Sequence, residues 1–433
     1  MIEVNIVKKT INFQNIPLLI ISLFPILFIT GPFLTDLFCV ILSFIFLFYL
    51  IKKKLWYILL DNKFFYFFLL FYIYLNVNSF FSFDSSISFI TSLPFIRIIL
   101  FIFALSFFLN QNKKIYKIFY IIFIISILSL SFDSIIQFLF KFDLFRYEIV
   151  TQSRISSFFG DEQIMGSYVS RLLPIALSVS FLFKNKKKYE INLLIIILSG
   201  LLVLLSGERL ATFYYICIVI LYFLLTKKHF FKFIVLLSII LFLNIFYNSI
   251  YVKRVFNYTI DQFNQTNSVF SYRHTLHYKT AFDMFMDNKI KGHGLKSFRY
   301  LCSNTRYENK IKEKKNIDLL NSGSKKNRYI LEYNNGCNTH PHNIYLEFLS
   351  ELGIVGFIFL ILAFIYTFFN LSYFLIRNIF KKFSDEKEVS KSLILSGIFF
   401  QLLPILPSGS FFNNYMLIIF HLSVGFYFAI LKN

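Results

Sequence analysis

Charged side chains are scarce in this chain: Asp, Glu, Lys and Arg make up 15% of its residues. A soluble domain carries about a quarter, so the scarcity excludes a water-soluble globule. Acids are the scarcer sign, 23 against 44 bases, for a formal net charge of +21. The polar segments hold no pair of carboxylates at glycosidase spacing, which argues against hydrolysis through two acids. They also hold no Asp-x-Asp signature for a metal. No module for reading nucleic acid accompanies the positive charge, so none is expected as a partner. With 4 cysteines in all, the polar segments supply too few thiols to close a metal site.

Hydrophobic residues fill the space left by charge, 57% of the chain with 21% aromatic, and the mean hydropathy is +0.65. The apolar runs are continuous and about 20 residues long, the length a helix needs to cross the hydrocarbon core. Barrel strands would alternate in short polar and apolar steps instead. The 62 phenylalanines, with the surplus of Ile, Lys and Asn, are what an AT-rich gene encodes and are not read as a binding signature.

The bases lie in short gaps between apolar runs: Lys52 to Lys54, Lys113 with Lys114 and Lys117, Lys184 with Lys186 to Lys188, Lys227 with Lys228 and Lys232, and Arg377 with Lys381 and Lys382. That distribution is the positive-inside pattern, and it orients the spans. Lys8 and Lys9 precede two runs, Ile16 to Thr30 and Phe33 to Ile51, separated by Gly31-Pro32. The first lacks a small-residue cleavage site and is expected to remain as a span, not to act as a cleavable leader. Later runs cover Phe64 to Phe81, Ile87 to Leu109, Ile115 to Phe140, a span ending before Lys184, Ile191 to Ser206, Leu210 to Thr226, Phe231 to Asn248, Ile344 to Asn370, Leu393 to Leu406 and Tyr415 to Leu431. The reading is an all-α polytopic membrane protein of about twelve transmembrane helices with both termini cytoplasmic. It divides into residues 1–248 with helices one to nine and a short external loop at 141–160, a large external loop at 249–341, and residues 342–433 with the last three helices.

The large external segment carries 16 Lys and Arg against 7 Asp and Glu. Long segments are exempt from the charge rule, and a cationic external domain attracts diphosphates and anionic glycolipids; Lys310 to Lys326 also reads simply as a solvated insertion. Cys39 and Cys217 lie within apolar runs as ordinary core residues. Cys302 and Cys337 fall in the external segment, where an oxidising compartment favours a disulfide that would tie off Ser303 to Gly336 and fix the approach to His340. Arg97 and Arg171 sit well inside their runs, where a charge needs a partner or a cavity. An ion pair between Arg97 and Asp133 is one reading; a polar path toward a lipid headgroup is the other.

The chemistry concentrates where the long polar segment meets an apolar run, at Asn338-Thr339-His340-Pro341-His342-Asn343-Ile344-Tyr345-Leu346-Glu347. Two imidazoles there can take a proton from a hydroxyl near neutral pH, and Pro341 suits a helix start. Glu347 and Glu351, one turn apart, read either as orienting groups or as solvated carboxylates at a helix start. His293, between two glycines, reads as part of a tight turn, and Tyr345 as a member of the interfacial aromatic belt. Three further pieces fall at the same face: Arg154 before Phe158-Phe159-Gly160, Arg209 in Ser206-Gly207-Glu208-Arg209, and Arg273 upstream of Gly292-His293-Gly294.

Together with His340-Pro341-His342-Asn343-Ile344-Tyr345-Leu346-Glu347 and Glu351-Leu352-Gly353-Ile354-Val355-Gly356, these pieces resemble the O-antigen ligase and Wzy-type polymerase superfamily. Glu208-Arg209 departs from the small residues usual in that family after the serine and glycine. The resemblance implies a metal-independent, GT-C-like membrane glycosyltransferase without a cofactor, in the bacterial inner membrane with its active face periplasmic. It implies an undecaprenyl diphosphate-linked glycan as donor and the lipid A core or another glycan as acceptor. Arg154, Arg209 and Arg273 suit a diphosphate clamp, with Asn343 beside them as a substrate ligand, and His342, or secondly His340, suits the base. A polymerase shares every one of these features. A polysaccharide flippase would instead line a central path with cations and need no large external domain.

Overall fold

The computed structural model describes residues 15–151, 153–227, 234–235, 249–257, 259–260, 271–307, 336–380, 385–404 and 406–432. Among these the chain is helical, with no strand beyond two isolated bridges, Phe142 to Glu148 and Thr151 to Arg154. The long helices are α1 (Ile16–Ile29), α2 (Pro32–Lys53), α3 (Lys63–Phe80), α4 (Ile96–Gln111), α5 (Lys114–Phe140), α6 (Met165–Val179), α7 (Lys188–Leu205), α8 (Arg209–Thr226), α9 (Tyr272–Asp287), α10 (Ile344–Phe380), α11 (Glu386–Gln401) and α12 (Asn414–Lys432). Seven helices among the described residues are long and apolar enough to cross a membrane. The protein is therefore a polytopic helical membrane protein: in hydrocarbon a helix satisfies its own backbone, which an open strand cannot. The expected span from Phe231 to Asn248, the insertion from Lys310 to Lys326, and Lys8 and Lys9 lie outside the described residues.

Local chemistry sets the helix ends. Asn62 and Asp84 accept from the N–H of Phe64 and Ile87 at 3.0 and 3.1 Å, closing the N-termini of α3 and of the short helix Ser85–Ser92. Pro17 and Pro32 occupy first turns. Lys54, Lys141 and Lys227 end α2, α5 and α8 in left-handed geometry, with φ of 54°, 67° and 56°.

Helix α6 is the centre of the bundle, with every residue buried except Ser167. It packs on α7, α8, α11 and α12. Gly397 lets α11 close on it, since a Cβ there would stand 2.5 Å from Pro174 Cγ. Ser178 Oγ donates to the Ser390 carbonyl across the same contact at 2.7 Å. Because successive helices run antiparallel, the starts of α6, α8, α10 and α12 and the ends of α5, α7 and α11 meet at one end of the bundle. Among the described residues, the lysine-rich gaps lie at the other.

Two sequence readings change here. Arg97 pairs with Asp36 at 2.9 Å, not with Asp133, and also donates to Asn414. Asp133 instead accepts from Leu144 N at 2.8 Å and Ser157 Oγ at 2.5 Å, because the loop after α5 folds back over the helix end and brings donors closer than any arginine. Tyr345 is buried, donating to the Leu402 carbonyl at 2.5 Å, and is not part of an aromatic belt.

Helix α10 is broken at Gly353, whose φ of 63° and ψ of −166° are non-helical. The turn Lys289–Gly294 fills the break: His293 N and Gly294 N donate to the carbonyls of Ser350 and Glu351 at 3.0 and 2.8 Å, and Ile354 N donates to Lys289 O at 2.8 Å. These bonds satisfy backbone groups that a helix end leaves unpaired. A Cβ on Gly353 would lie 2.3 Å from Ile290 O, and one on Gly292 2.5 Å from Glu351 C, so only glycine fits on either side. His293 completes the joint, its Nε2 2.9 Å from the Met284 carbonyl.

Candidate functional site

Arg154 is carried on the loop between α5 and α6, and the outer end of α5 holds that loop in place. Gln137 Oε1 accepts from Ser156 N and Ser157 N at 3.1 and 2.8 Å, and Asp133 holds Ser157 as above. The Arg154 guanidinium donates to the Gln163 carbonyl at 2.6 Å and the Ser206 carbonyl at 3.3 Å, and stands 3.8 Å from Glu208. Burial lowers its proton affinity, Glu208 opposes that, and a further arginine, Arg254, adds to it.

The turn from α7 to α8 is built on Gly207, with φ of +62° and the Ser153 carbonyl 2.5 Å from where a Cβ would be. Glu208, where the sequence departs from the family's small residues, caps the neighbouring helix: it accepts from Gly166 N at 2.9 Å and from Ser167 Oγ at 2.6 Å at the start of α6. A Cβ on Gly166 would meet Ser206 Oγ at 2.3 Å and Glu208 Oε1 at 3.1 Å, so glycine leaves room for this turn. Burial raises the Glu208 pKa, while Ser167, Arg154 and Arg171 favour its charged form. Arg209 is the first residue of α8, a helix with no side-chain cap, and Arg254 and His274 lie within its electrostatic reach. Arg171 is buried under this layer, its guanidinium 5.5 Å from the Tyr214 ring and its Nε without a partner.

The histidine junction forms the other wall. Helix α10 starts at Ile344, so His340 and His342 occupy the turn before it. Asn343, predicted as a substrate ligand, caps that helix instead: its Oδ1 accepts from Tyr345 N and Leu346 N at 3.0 and 3.1 Å, and its Nδ2 donates to Pro404 O at 2.8 Å. Both ends of the amide are thus spent within the protein, because a helix start needs an acceptor and Asn343 is in the cap position. His342 is left-handed, φ 57°, and its carbonyl accepts from Ser408 N at 2.8 Å. Three more imidazoles surround its ring, with centroids 4.1 Å away for His340, 5.2 Å for His274 and 5.4 Å for His277.

His274 and His277 project from α9 one turn apart, with Arg273 beside them. Burial, reinforced by its three imidazole neighbours and Arg273, holds His342 down to about 2. Burial, with Lys296 next, holds His340 near 4, and burial, with His277 next, does the same for His274. Burial also lowers His277. The cluster is neutral at physiological pH.

Asn338 fixes one of these rings. Its Oδ1 accepts from Thr339 N at 2.7 Å, which leaves Nδ2 as the atom 3.0 Å from His342 Nε2. An N–H facing Nε2 makes that nitrogen the acceptor and puts the ring proton on Nδ1. Immediately before Asn338, Cys337 is joined to Cys302 with their Cα atoms 5.0 Å apart.

Glu347 and Glu351 are not solvated: each is 1% exposed. Glu347 accepts from Ser410 Oγ at 2.5 Å and Phe411 N at 2.8 Å, and Glu351 from Lys296 N at 2.8 Å. The first two turns of α10 therefore grip the 408–411 loop on one side and the 296–298 turn on the other. Beneath the site an apolar cavity of about 390 Å³ is lined by Phe64, Phe68, Phe71, Phe359 and Phe411. It shares Leu402, Phe411 and Phe420 with a cavity of about 30 Å³ that touches Arg171, Tyr214 and Ser408.

Residues 194–361 match the family described as O-antigen ligase. The match covers less than half of the chain and supports the resemblance to the O-antigen ligase and Wzy-type superfamily. No curated relative matches it. The matched range contains Arg209, Arg273, His340 and His342, and also Arg254, His274, His277 and Asn338, to which the sequence reading gave no role. Arg154 and Arg171 lie before it. A signal for two of the overlooked residues was present: His274, His277 and Tyr278 follow Arg273 at helical spacing, a polar stripe on a segment otherwise read for its apolar side. Arg254 follows Lys253 just after an apolar run and reads as an interfacial anchor.

Proposed function

We propose that this protein is an O-antigen ligase-like glycosyltransferase of the GT-C type, moving a glycan from an undecaprenyl diphosphate carrier to a hydroxyl of the lipid A core or a similar acceptor. It works on the periplasmic face of the bacterial inner membrane, with about twelve spans and both termini cytoplasmic. The observation that carries the reading is a neutral imidazole cluster around His342 beside the arginines of the same bundle end.

In the reaction the acceptor oxygen forms a bond to the anomeric carbon as the bond from that carbon to the phosphate oxygen breaks. The acceptor hydroxyl takes the place of the Asn338 N–H at His342 Nε2, its proton passes to that nitrogen, and the electron pair leaves on the diphosphate. Arginines at Arg154, Arg209 and Arg273 stabilise the growing negative charge. A neutral imidazole with a low pKa accepts a proton poorly by itself. The bound diphosphate supplies the negative charge that favours the imidazolium, so donor binding switches the base on. The apolar cavity of about 390 Å³, which shares Leu402, Phe411 and Phe420 with the small cavity at Arg171, supports a place for a lipid chain in this bundle. A polymerase would use the same residues and differ in its acceptor.

The test is transfer from a labelled undecaprenyl diphosphate-linked oligosaccharide in purified membranes, with excess chelator present, comparing wild type with His342→Ala. The expected result is transfer by wild type despite chelator and a drop of roughly 100-fold or more in the folded variant. A fully active variant removes His342 as the base. Lipid A core consumed as acceptor marks a ligase, and carrier-linked glycan consumed marks a polymerase.

A further inference from the structure

Arg254 belongs to none of the motifs on which the functional reading rests. It lies in the short helix Ile250–Val255, whose Tyr251, Val252 and Val255 are buried and whose Tyr251 ring packs 5.8 Å from Phe138. The helix is thus anchored on its apolar side. Arg254 Nη1 donates to Ser153 Oγ at 2.9 Å. Its Cδ stands 3.0 Å from where a Cβ on Gly207 would be, and Arg154 Cγ stands 3.4 Å from the same point. Two arginine side chains therefore share the surface of one glycine, and a side chain at that position would clash with the Ser153 carbonyl and crowd Arg254.

Arg209, two residues on, is the third cation within reach of Arg254. The carboxylate in this layer, Glu208, is turned to the start of α6, where it serves Gly166 and Ser167. Glu208 also opposes the charge of Arg154, while Arg254 acts as a like charge on both Arg154 and Arg209. Like charges held this close repel, and an anion with several oxygens relieves the repulsion. A diphosphate has two phosphoryl groups and gains charge as it departs, so it engages more than one guanidinium fork.

We propose that Arg254 is a further arm of the diphosphate clamp, binding phosphoryl oxygens of the lipid carrier together with Arg154 and Arg209. The assignment rests on the glycosyltransferase reading above and adds a residue from the beginning of the external segment to it. Ser153 holds the guanidinium in place, and Gly207 provides the room.

The experiment measures transfer by the full-length protein in membranes as a function of donor concentration, with inorganic diphosphate as competing probe. Arg254→Gln, which can keep a hydrogen bond to Ser153 and loses the charge, is compared with Arg254→Lys and wild type. The expected result for Arg254→Gln is roughly a tenfold or larger rise in donor KM and a matching loss of inhibition by diphosphate, with acceptor KM unchanged. Arg254→Lys recovers part of both. A folded Arg254→Gln protein with wild-type donor KM and wild-type sensitivity to diphosphate overturns the assignment and leaves the functional reading standing. Wild type that neither uses the carrier nor responds to diphosphate overturns both. If Arg254→Gln fails to fold, Arg254→Lys carries the test: unchanged donor KM and diphosphate sensitivity in it count against the assignment.

Discussion

His342 is a weak base by design of its surroundings, which bury it and place three imidazoles and Arg273 against it. In the free protein it stays neutral down to about pH 2, so kcat/KM, which reports the free enzyme, does not lose this base as pH falls from 8 to 5. In the donor complex the diphosphate raises the proton affinity of His342, so kcat falls on the acid side at a higher pH than kcat/KM does. Asn338 supplies the control. Asn338→Asp puts an acceptor where an N–H now faces Nε2, favouring the opposite tautomer and stabilising the imidazolium. The expected outcome is a kcat lower by roughly tenfold and an acid limb displaced to higher pH, with donor KM little changed. A pH–rate profile identical to wild type removes Asn338 as the residue that sets the tautomer.

At the scale of elements, the site depends on the break in α10. The segment before Gly353 carries His342's helix start and both buried glutamates, while the segment after it runs on through the bundle. The 289–294 turn is the wedge that keeps the two apart. Gly353→Ala puts a Cβ 2.3 Å from Ile290 O in a backbone conformation that L-residues avoid. It should cost at least about 2 kcal/mol, read as a lowered Tm in detergent. An unchanged Tm would show that the helix can straighten without loss. The glycines were visible in the sequence as Gly292-His293-Gly294 and Gly353, but their mutual contact was not, because the two turns are far apart along the chain and meet only when α9 packs on α10.

At the scale of the whole molecule, the bond between Cys302 and Cys337 ties the chain to the end of the 298–301 helix directly before Asn338. Cutting that tie lets Asn338 drift from His342 while the bundle stays intact. Cys302→Ala with Cys337→Ala should lower kcat by roughly tenfold with little change in the Tm of the helical core, and reductant should do the same to wild type. Equal activity with and without the bond would leave it a role in stability alone. The arginines come from four separate parts of the chain: the α5–α6 loop, the start of α8, the helix after the ninth expected span, and the start of α9. Antiparallel packing of successive helices brings all four to one end.

The sequence by itself determined the class of the molecule, the approximate helix limits and the motif order. Each depends on a local property: long apolar runs must form helices in hydrocarbon, capping residues stop them, and basic gaps orient them. Arg154, Arg209, Arg273, His340 and His342 could be named because they stand in recognisable short patterns. Only the tertiary structure decided what touches what. It turned Asn343 into a helix cap, gave Arg97 to Asp36, buried Glu347 and Glu351 as ties between loops, and brought His274, His277, Asn338 and Arg254 to the site. Those outcomes depend on helices separated by many residues packing side by side, and no periodicity within a single helix encodes which partner it will meet.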